Sequence, residues 1–548
     1  MGYTDGNYYN RNIRIGVVIM ESPLPITQTE IPLLNLGVTM RLRYLLKSDL
    51  IGRKRFAFID SRQVLDFEGV HQKFWPADKH PEPVIVPDNP REQLRGYWTA
   101  SGDDETTGCG APQGLTYDGS KFRIWYNGMP GPLESLPHIA VAYAESSDGV
   151  NWHKPNLRLV KDLNGSLDNN LTNLMQSNVS VIDIGGDTEP SKRFRAMGVG
   201  AYVGPTKEHG VYKEHWPVDQ HGRNIHGVYH LHSTDGLNWE YYKDNPGNFS
   251  QDSALMVFDS PRNRFLGSLK FEIRQRSYDR RSHALLTSED GFEWGSPRVT
   301  LCADEKDDEM ALNRGFIWSD FQNIGMFPTR DVIMGFLEVS NYTEGLYRGK
   351  PHGQRLGFYG KIETQLMYSY DGFYWHRSEG RLPLIPWGEE GSWDEGGAWR
   401  AKTAVEVDDE VHIYYEGFKG DHSNAYDRRI GLAKMKRDRW ASFSAHKEGM
   451  LEVYHGTVEG DEMMVNARAI NGSVSIEILQ GSDSLEPVLG FEKGNCLPFV
   501  GDEIQGPVRW KNKSFKELKG KQDIVFRFHI ESADLFAYEV FKINHASV

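Results

Sequence analysis

The sequence predicts an all-β protein, a five-bladed β-propeller followed by a C-terminal β-sandwich, and two observations carry this prediction. The motif Ser-x-Asp-Gly-x-x-Trp occurs four times, as SSDGVNW, STDGLNW, SEDGFEW and SYDGFYW, beginning at residues 146, 233, 288 and 369. After about residue 445 the motif stops, and short runs of alternating apolar and polar residues follow it.

Each copy of the motif lies between two short apolar or alternating runs. Asp-Gly between such runs is a strong hairpin signal, because Gly accepts positive φ and Asp hydrogen-bonds back onto the turn. A second hairpin precedes the motif, for example in APQGLTYDGSKFRIWYNG. Two hairpins make a four-stranded antiparallel sheet, the blade of a propeller. We expect the four turn aspartates to be structural: Asp148, Asp235, Asp290 and Asp371.

The repeat assigns the blades in order along the chain, to about 109–156, 174–244, 250–298 and 316–380. A fifth blade follows in AWRAKTAVEVDDEVHIYYEG and RIGLAKMKRDRWASF, where RDRW replaces the Asp-Gly turn. The propeller is therefore predicted over 96–445.

Two flanking regions have a different character. Residues 446–548 contain short alternating strands with polar turns, which is typical of a β-sandwich. Residues 1–95 include the Pro-rich stretch HQKFWPADKHPEPVIVPDNP and predict an irregular segment wrapping the propeller.

Composition excludes several classes of partner. The 548 residues carry a net charge of −14 without a Lys/Arg cluster, so we expect no nucleic-acid partner. A neutral polymer is also a more natural partner than an anionic one, unless a local basic site exists. No stretch approaches the roughly 18 apolar residues of a membrane helix, so we expect no membrane partner.

The sequence predicts neither a metal site nor a cofactor. Its three cysteines are far apart, and its 19 histidines show no paired-ligand spacing. A structural calcium near the binding face is left open. The first residues lack the regions of a signal peptide, and localisation and oligomeric state are also left open.

One segment resembles a known enzyme family. The stretch APQGLTYDGSKFRIWYNGMP is similar to the Asn-Asp-Pro-Asn-Gly-Leu segment of glycoside hydrolase family 32, the invertases and fructanases. Pro112, Gly114 and Leu115 fall on its Pro, Gly and Leu, and Asn127 falls near a strand-ending Gln. The propeller also resembles that of family 43, the arabinanases and xylosidases. The resemblance implies a carbohydrate substrate and glycosidase activity, which we expect to be exo-acting.

The chain departs from the invertase pattern at the nucleophile. Ala111 stands where the family has its nucleophilic Asp, and the other two invertase signatures do not appear in sequence order. The chain more closely resembles divergent bacterial family-32-like proteins with KHPEPVI upstream and GSWDEGG in the last blade. Family 32 retains and family 43 inverts the anomeric configuration. The loss of the nucleophile favours inversion.

In propellers of this kind the innermost strand begins, and the second strand ends, at the funnel where ligand binds. This rule gives four candidate catalytic carboxylates: Asp252, Glu272, Asp320 and Glu338. It also gives candidate substrate-binding residues: Asn127, Asn178, Arg274, Asp394, Trp399, Arg400 and Glu416. Glycosidic cleavage needs one protonated and one ionised carboxyl, and crowded carboxylates push their pKa values apart to supply both.

Two alternatives to a hydrolase are kept. A non-catalytic carbohydrate-binding propeller is suggested by Ala111. A polysaccharide lyase would use a His or Tyr base beside a uronate held by Arg, and the candidates are Arg274, Arg400 and His422.

Overall fold

The computed structural model describes residues 54–89, 92, 109–128, 140–162, 165–174, 177–185, 189–199, 227–242, 247, 250, 253–275, 278–343, 359–422, 425–481 and 484–542. Almost all of the regular structure in these residues is strand, which confirms the all-β class. The longest helix in these residues is α1, Glu305–Asn313. No helix in these ranges is long and apolar enough to cross a membrane.

Four strands precede the first blade: β1 Lys54–Ala57, β2 Val64–Glu68, β3 His71–Phe74 and β4 Asp78–Lys79. Three of them pair with strands at the far C-terminal end of the chain, and β4 pairs in the last blade. The expectation of an irregular segment over 1–95 therefore fails for residues 54–79, because these strands find partners several hundred residues away. Residues 1–53 lie outside the described residues.

The next strands form five antiparallel units in chain order. Blade 1 contains β5 Gly110–Tyr117, β6 Phe122–Gly128 and β7 Ala140–Ser146, and blade 2 contains β8 Ser177–Asp183, β9 Phe194–Val199, β10 Val228–Ser233 and β11 Glu240–Tyr241. Blade 3 contains β12 Ala254–Asp259, β13 Arg264–Gln275, β14 Tyr278–Ser288 and β15 Arg298–Cys302.

Blade 4 contains β16 Trp318–Pro328, β17 Ile333–Tyr342, β18 Gly360–Ser369, β19 Trp375–Arg377 and β20 Pro383–Ile385. Blade 5 contains β21 Gly397–Trp399, β22 Ala404–Val407, β23 Glu410–Lys419 and β24 Tyr426–Lys436. Its outer strand is β4, which pairs with β24. After the degenerate RDRW turn the chain leaves blade 5, so an N-terminal strand completes the sheet.

The five blades close into a ring. The inner strands of successive blades contact one another, from β5 to β8, β12, β16 and β22, and β22 contacts β5. A hydrophobic cluster lies between each pair of neighbouring blades. Between blades 5 and 1, for example, Tyr414 and Ile430 pack with Ile124 and Ala142. Burial of these apolar faces against each other stabilises the ring at roughly 25 cal/mol per Å².

The repeated turn has one geometry in all four copies. Asp148 accepts hydrogen bonds from the backbone N–H of Val150 (2.9 Å) and Asn151 (2.8 Å). Asp235, Asp290 and Asp371 make the same pair of bonds at 2.8–2.9 Å. The glycine that follows has a positive φ in every copy, with values of 75°, 76°, 72° and 83° in chain order. The prediction of equivalent turns is confirmed.

The remaining strands are β25 Ala441–Gly456, β26 Glu462–Gln480, β27 Glu486–Pro487, β28 Cys496–Leu497, β29 Phe499–Pro507, β30 Arg509–Trp510 and β31 Ile524–Phe541. Hydrogen bonds join β25, β26, β27, β29 and β31 with β1, β2 and β3 into one eight-stranded sheet, while β28 pairs with β30. The register of the longest strands shifts along their length, between Ala445 and Glu448 and between Arg468 and Ser473. Such bulges let one strand pass from one layer of a sandwich to the other.

Candidate active site

Three inner-strand starts have strained backbone. Ala111 (φ 55°), Asn178 (φ 44°) and Arg400 (φ 56°) lie in the left-handed region, although none is glycine. The register of β5 and β8 shifts around the first two, so each lies at a bulge. Non-glycine residues held there cost roughly 1–3 kcal/mol and concentrate at functional sites. The funnel ends of blades 1, 2 and 5 therefore share a backbone feature typical of binding sites.

Glu338 of β17 is the most deeply buried of the candidate acids, with no exposed surface. The indole Nε1–H of Trp399 donates to its Oε2 at 2.7 Å. Asn323 also lies beside this carboxyl and favours its ionised form. Burial raises the pKa of Glu338 to about 7, against the opposing effect of Arg400 and Lys402. At neutral pH this carboxyl therefore carries a proton on a substantial fraction of molecules.

Glu416 of β23 has the opposite electrostatic environment. Its Oε2 lies 3.2 Å from Arg400 Nε, and Arg428 pairs with its Oε1. Burial raises the pKa of Glu416, but Arg400 and Arg428 outweigh burial and hold it below the ordinary value. A side chain at Gly110 would bring a Cβ within 2.6 Å of Glu416 Oε1, so glycine is required there. Glu416 is therefore an ionised group fixed between two guanidinium groups.

Trp399 and Arg400 link these two acids. The Arg400 guanidinium lies 4.2 Å from the Trp399 ring centroid while it pairs with Glu416. Trp399 donates to Glu338 from the same two-residue segment. Two consecutive residues thus hold Glu338, whose pKa is raised, and Glu416, whose pKa is lowered. Acid–base chemistry requires such a pair of carboxyls.

Asp320 of β16 is the second carboxyl with a raised pKa. It is 2% exposed and accepts hydrogen bonds from the backbone N–H of Arg281 (2.9 Å) and of Phe321 (3.1 Å). Burial raises its pKa to about 6, against Arg281 and Arg280. Asp320 pairs with Ser340 across the β16–β17 ladder, and Glu338 lies two residues from Ser340 on the same face. The ladder shifts register between Phe321 and Ile324, opposite Glu338.

Lys402 ties three blades together at the centre of the ring. Its Nζ donates to the backbone O of Val179 at 2.7 Å and to Oε1 of Gln113. Gln113 in turn donates to Asn127 Oδ1 at 2.8 Å. Burial lowers the pKa of Lys402 well below its ordinary value, and Arg400 adds to the effect. Lys402 therefore joins blade 5 to blades 1 and 2 and interacts electrostatically with Glu338 and Glu416.

Aromatic rings extend the site from Trp399. The imidazole of His422 packs edge-on against Trp399 at 5.0 Å and stacks with Tyr342 at 6.1 Å. The Tyr342 hydroxyl accepts from Arg281 Nη1 at 2.7 Å and from Gln322 at 2.8 Å. Aromatic faces next to hydrogen-bonding groups suit the apolar face and the hydroxyls of a sugar.

The structure brings together six of the eleven predicted site residues: Asn127, Asp320, Glu338, Trp399, Arg400 and Glu416. Asn178 lies at the strained β8 start beside Val179, which Lys402 contacts. Glu272 is exposed on β13 and faces Arg281 across the ladder. Asp252 and the side chain of Arg274 lie outside the described residues.

Asp394 is placed differently from the prediction. Its Oδ2 lies 2.6 Å from Lys79 Nζ and accepts from the Tyr415 hydroxyl at 2.9 Å. Tyr415 and Glu416 are consecutive in β23 and point to opposite faces of the strand. Asp394 is therefore bound on the face away from Glu416 and fastens β4 to blade 5.

Four residues of the site were not predicted: Gln113, Tyr342, Lys402 and Arg428. Gln113 and Lys402 lie two residues after the strained Ala111 and Arg400, so the strand-start rule extended by two positions would have found them. Arg428 lies on β24, the third strand of its blade, which that rule does not cover. No local signal in the sequence marks Tyr342.

The chain is similar at low identity to several solved structures. A structure titled "Glycoside hydrolase" is 14% identical and covers 66% of this chain and 94% of that chain, with a TM-score of 0.41. The Bombyx mori GH32 beta-fructofuranosidase BmSUC1 is 12% identical and covers 83% of this chain and 94% of that chain, with a TM-score of 0.35.

An N-acetylgalactosamine deacetylase from F. plautii, solved with blood group B trisaccharide, is 15% identical, with a TM-score of 0.38. It covers 66% of this chain and 96% of that chain. At these identities and TM-scores, the matches assign neither an activity nor a catalytic residue to this chain. No family model matches the sequence, and no curated protein matches it.

Proposed function

We propose that the protein is a glycoside hydrolase that cleaves an oligo- or polysaccharide in the propeller funnel, with Glu338 as the general acid. The observation that carries the proposal is the state of Glu338, a fully buried carboxyl whose pKa is raised to about 7. Its Oε2 accepts a hydrogen bond from Trp399, and Asn323 lies beside the same carboxyl. A carboxyl kept protonated near neutral pH is what protonation of a leaving-group oxygen needs.

Asp320 is the proposed general base. Its pKa of about 6 lies below the value of about 7 for Glu338, which favours the ionised form of Asp320 and the protonated form of Glu338. Glu338 gives its proton to the glycosidic oxygen as the bond to the anomeric carbon breaks. The oxygen of a water molecule bonds to that carbon, and the proton of the water passes to Asp320. A gap of roughly 6.5–9.5 Å between carboxyls leaves room for this water and gives inversion.

The burial of both acids supports an exo-acting enzyme. Glu338 is unexposed and Asp320 is 2% exposed, so both acids lie deep among the blades. A chain end can enter a closed funnel, which is the reason for proposing release of terminal sugars.

A screen of aryl glycosides and of plant, algal and microbial glycans tests the proposal. Release of a reducing end by the unmodified protein, lost in Glu338→Gln, is the expected result. Glu410→Gln is the matched control and should retain activity, because Glu410 is the first residue of β23 and its side chain is 45% exposed. Binding without any product would favour the carbohydrate-binding alternative instead.

A polysaccharide lyase is the second candidate, favoured by one observation. His422 packs against Tyr342 and Trp399, with Arg400 stacked on the same indole, so a base and a carboxylate-binding group are neighbours. Burial holds the pKa of His422 well below its ordinary value, which weakens it as a base. A lyase product contains an unsaturated uronate that absorbs in the near ultraviolet, whereas a hydrolase product does not.

A further inference from the structure

The charge around Trp399 differs in sign from that of the whole chain. The protein carries a net charge of −14. At Trp399, two guanidinium groups, those of Arg400 and Arg428, share the single carboxylate of Glu416. Among the described residues, no other carboxylate pairs with either arginine. One positive charge is therefore left over at this point of the funnel whenever Glu338 is protonated or replaced by Gln.

The two arginines are placed to receive a ligand. Arg400 lies 4.2 Å and Arg428 5.8 Å from the Trp399 ring centroid, and Arg428 also lies 5.6 Å from the Phe418 ring. Their side chains are 14% and 19% exposed, whereas the Glu416 side chain is 1% exposed. The aromatic rings and Glu416 fix the planes of both guanidinium groups. Planar, pre-oriented guanidinium groups favour bidentate binding of a carboxylate.

The imidazole of His422 also packs against Trp399 and lies in the same positive potential. It lies 5.0 Å from the indole, edge to face. Burial lowers its pKa well below the ordinary value, and four cations add to this effect: Arg281, Arg428, Lys270 and Arg400. Cations from blades 3 and 5 therefore converge on one aromatic surface.

We infer that the sugar unit bound at Trp399 is a uronic acid, whose carboxylate is held by Arg428 and Arg400 beside Glu416. A single carboxylate neutralises the one surplus charge and has the planar shape that the same arginines already bind in Glu416. The inference names the substrate class of the proposed hydrolase, but the binding it predicts does not depend on cleavage.

The binding test uses Glu338→Gln protein, so that turnover is blocked. Calorimetry compares aryl glucuronides and galacturonides with the matched aryl glucosides and galactosides, and with the uronide methyl esters. We expect at least one uronide to bind about tenfold or more tightly than its neutral partner, and esterification to abolish the difference. A sulfated aryl glycoside that binds as tightly as the uronide would overturn the assignment to a carboxylate.

A variant pair tests the arginine. Arg428→Gln, made in the same background, should reduce uronide affinity to within about twofold of the neutral sugar and leave the neutral sugar unaffected. Arg429→Gln is the control, because Arg429 is the next residue on β24 and pairs with Asp427 instead. An equal loss for both sugars, or an equal effect of Arg429→Gln, would contradict the inference.

A salt titration needs no variant of the arginine and covers the case in which Arg428→Gln fails to fold. Raising salt to about 0.5 M should weaken uronide binding several-fold and leave neutral-sugar binding unchanged, since salt screens charge pairs. Tight uronide binding without reducing ends from the unmodified protein would refute the proposed hydrolase and leave the substrate class standing. Release of neutral sugars, with no preference for uronides, would support the proposed hydrolase and refute the uronic acid as its substrate class.

Discussion

The outer turns and the funnel are built from the same blades, but only the turns repeat. Each Ser-x-Asp-Gly turn is contacted by the second strand of the preceding blade. Tyr414 of blade 5 donates to the Gly149 carbonyl at 2.7 Å, and Trp125 of blade 1 donates to the Gly236 carbonyl at 2.7 Å. Arg264 of blade 3 donates to the Asp371 carbonyl at 2.8 Å.

The repeated turn therefore closes a hairpin and also binds the neighbouring blade. Between blades 2 and 3 the same place is filled by Arg195, whose guanidinium lies 4.8 Å from the Phe292 ring. Between blades 4 and 5, where RDRW replaces the turn, Phe336 packs against Trp440 at 6.2 Å. A ring needs the same joint at every interface, and this explains why the motif recurs.

The funnel ends of the inner strands carry different residues in blades 1, 2 and 5. Ala111, Asn178 and Arg400 share a backbone conformation but have no side-chain chemistry in common. A substrate is asymmetric, so the side chains around it must differ while the frame stays regular. Stability should therefore depend on the turns and activity on the funnel, and the two should separate in experiments.

The largest effect is expected from Glu338→Gln. The amide keeps the shape of the side chain and can still accept from Trp399 Nε1, but it has no proton to give. We expect turnover to fall by about 10²–10⁴-fold, the usual contribution of general acid catalysis. The thermal unfolding midpoint should not fall, because burial of an ionisable carboxyl is replaced by burial of a neutral amide. Retention of near-normal turnover would place the acid elsewhere in the ring.

The pH profile of the unmodified enzyme should be bell-shaped. A base must be ionised, so kcat/KM should rise with pH through about 6 as Asp320 loses its proton. An acid must be protonated, so kcat/KM should fall above about 7 as Glu338 loses its proton. Each limb approaches about tenfold per pH unit. Asp320→Asn should lower the maximum and remove the acid limb, and an unchanged acid limb would exclude Asp320 as the base.

A turn variant should show the opposite pattern. Asp235→Ala removes the acceptor for the backbone N–H groups of Leu237 and Asn238, both at 2.8 Å. We expect a loss of about 1–2 kcal/mol in the free energy of unfolding, by analogy with the loss of a capping side chain. Turnover per folded molecule should stay within about twofold. A loss of turnover without a lower unfolding midpoint would break the separation between turns and funnel.

Sequence alone predicts the outer turns, which depend on local contacts. The turn is recognisable because Asp148 bonds residues two and three positions later, so its whole chemistry lies within seven residues. Lys402 could not be placed in the same way, because its partners Gln113 and Val179 are 289 and 223 residues distant in the chain. Pairing of β1 with β31 escaped prediction for the same reason.

Closeness in sequence gives the wrong position for Asp394 in the last blade. Asp394 is five residues before Trp399 and was grouped with it, but strand alternation puts its partner Tyr415 on the face opposite Glu416. The expectation of a neutral partner came from the net charge of −14, which says nothing of how two arginines meet at one carboxylate. Side-chain direction and local charge are set by tertiary packing, and composition averages over both.

The smallest predicted effect tests the joint that closes the ring. Tyr414→Phe removes one hydroxyl, which is buried and donates to the Gly149 carbonyl at 2.7 Å, and leaves the ring packed against Trp152 at 5.5 Å. Loss of one such bond should reduce the free energy of unfolding by about 0.5–1.5 kcal/mol.

Tyr143→Phe is a suitable comparison, since the neighbours of its hydroxyl are Glu145, whose Oε2 lies at 3.4 Å, and Arg123, and both belong to blade 1. Its midpoint should move less than that of Tyr414→Phe. Both variants should keep the kcat and KM of the parent, because neither residue contacts Glu338, Trp399 or Arg400. If Tyr414→Phe is as stable as Tyr143→Phe, hydrogen bonding to the turn does not contribute to ring closure, and apolar packing at the blade interface is sufficient. A change in kcat from Tyr414→Phe alone would show instead that the joint between blades 5 and 1 sets the geometry of the funnel.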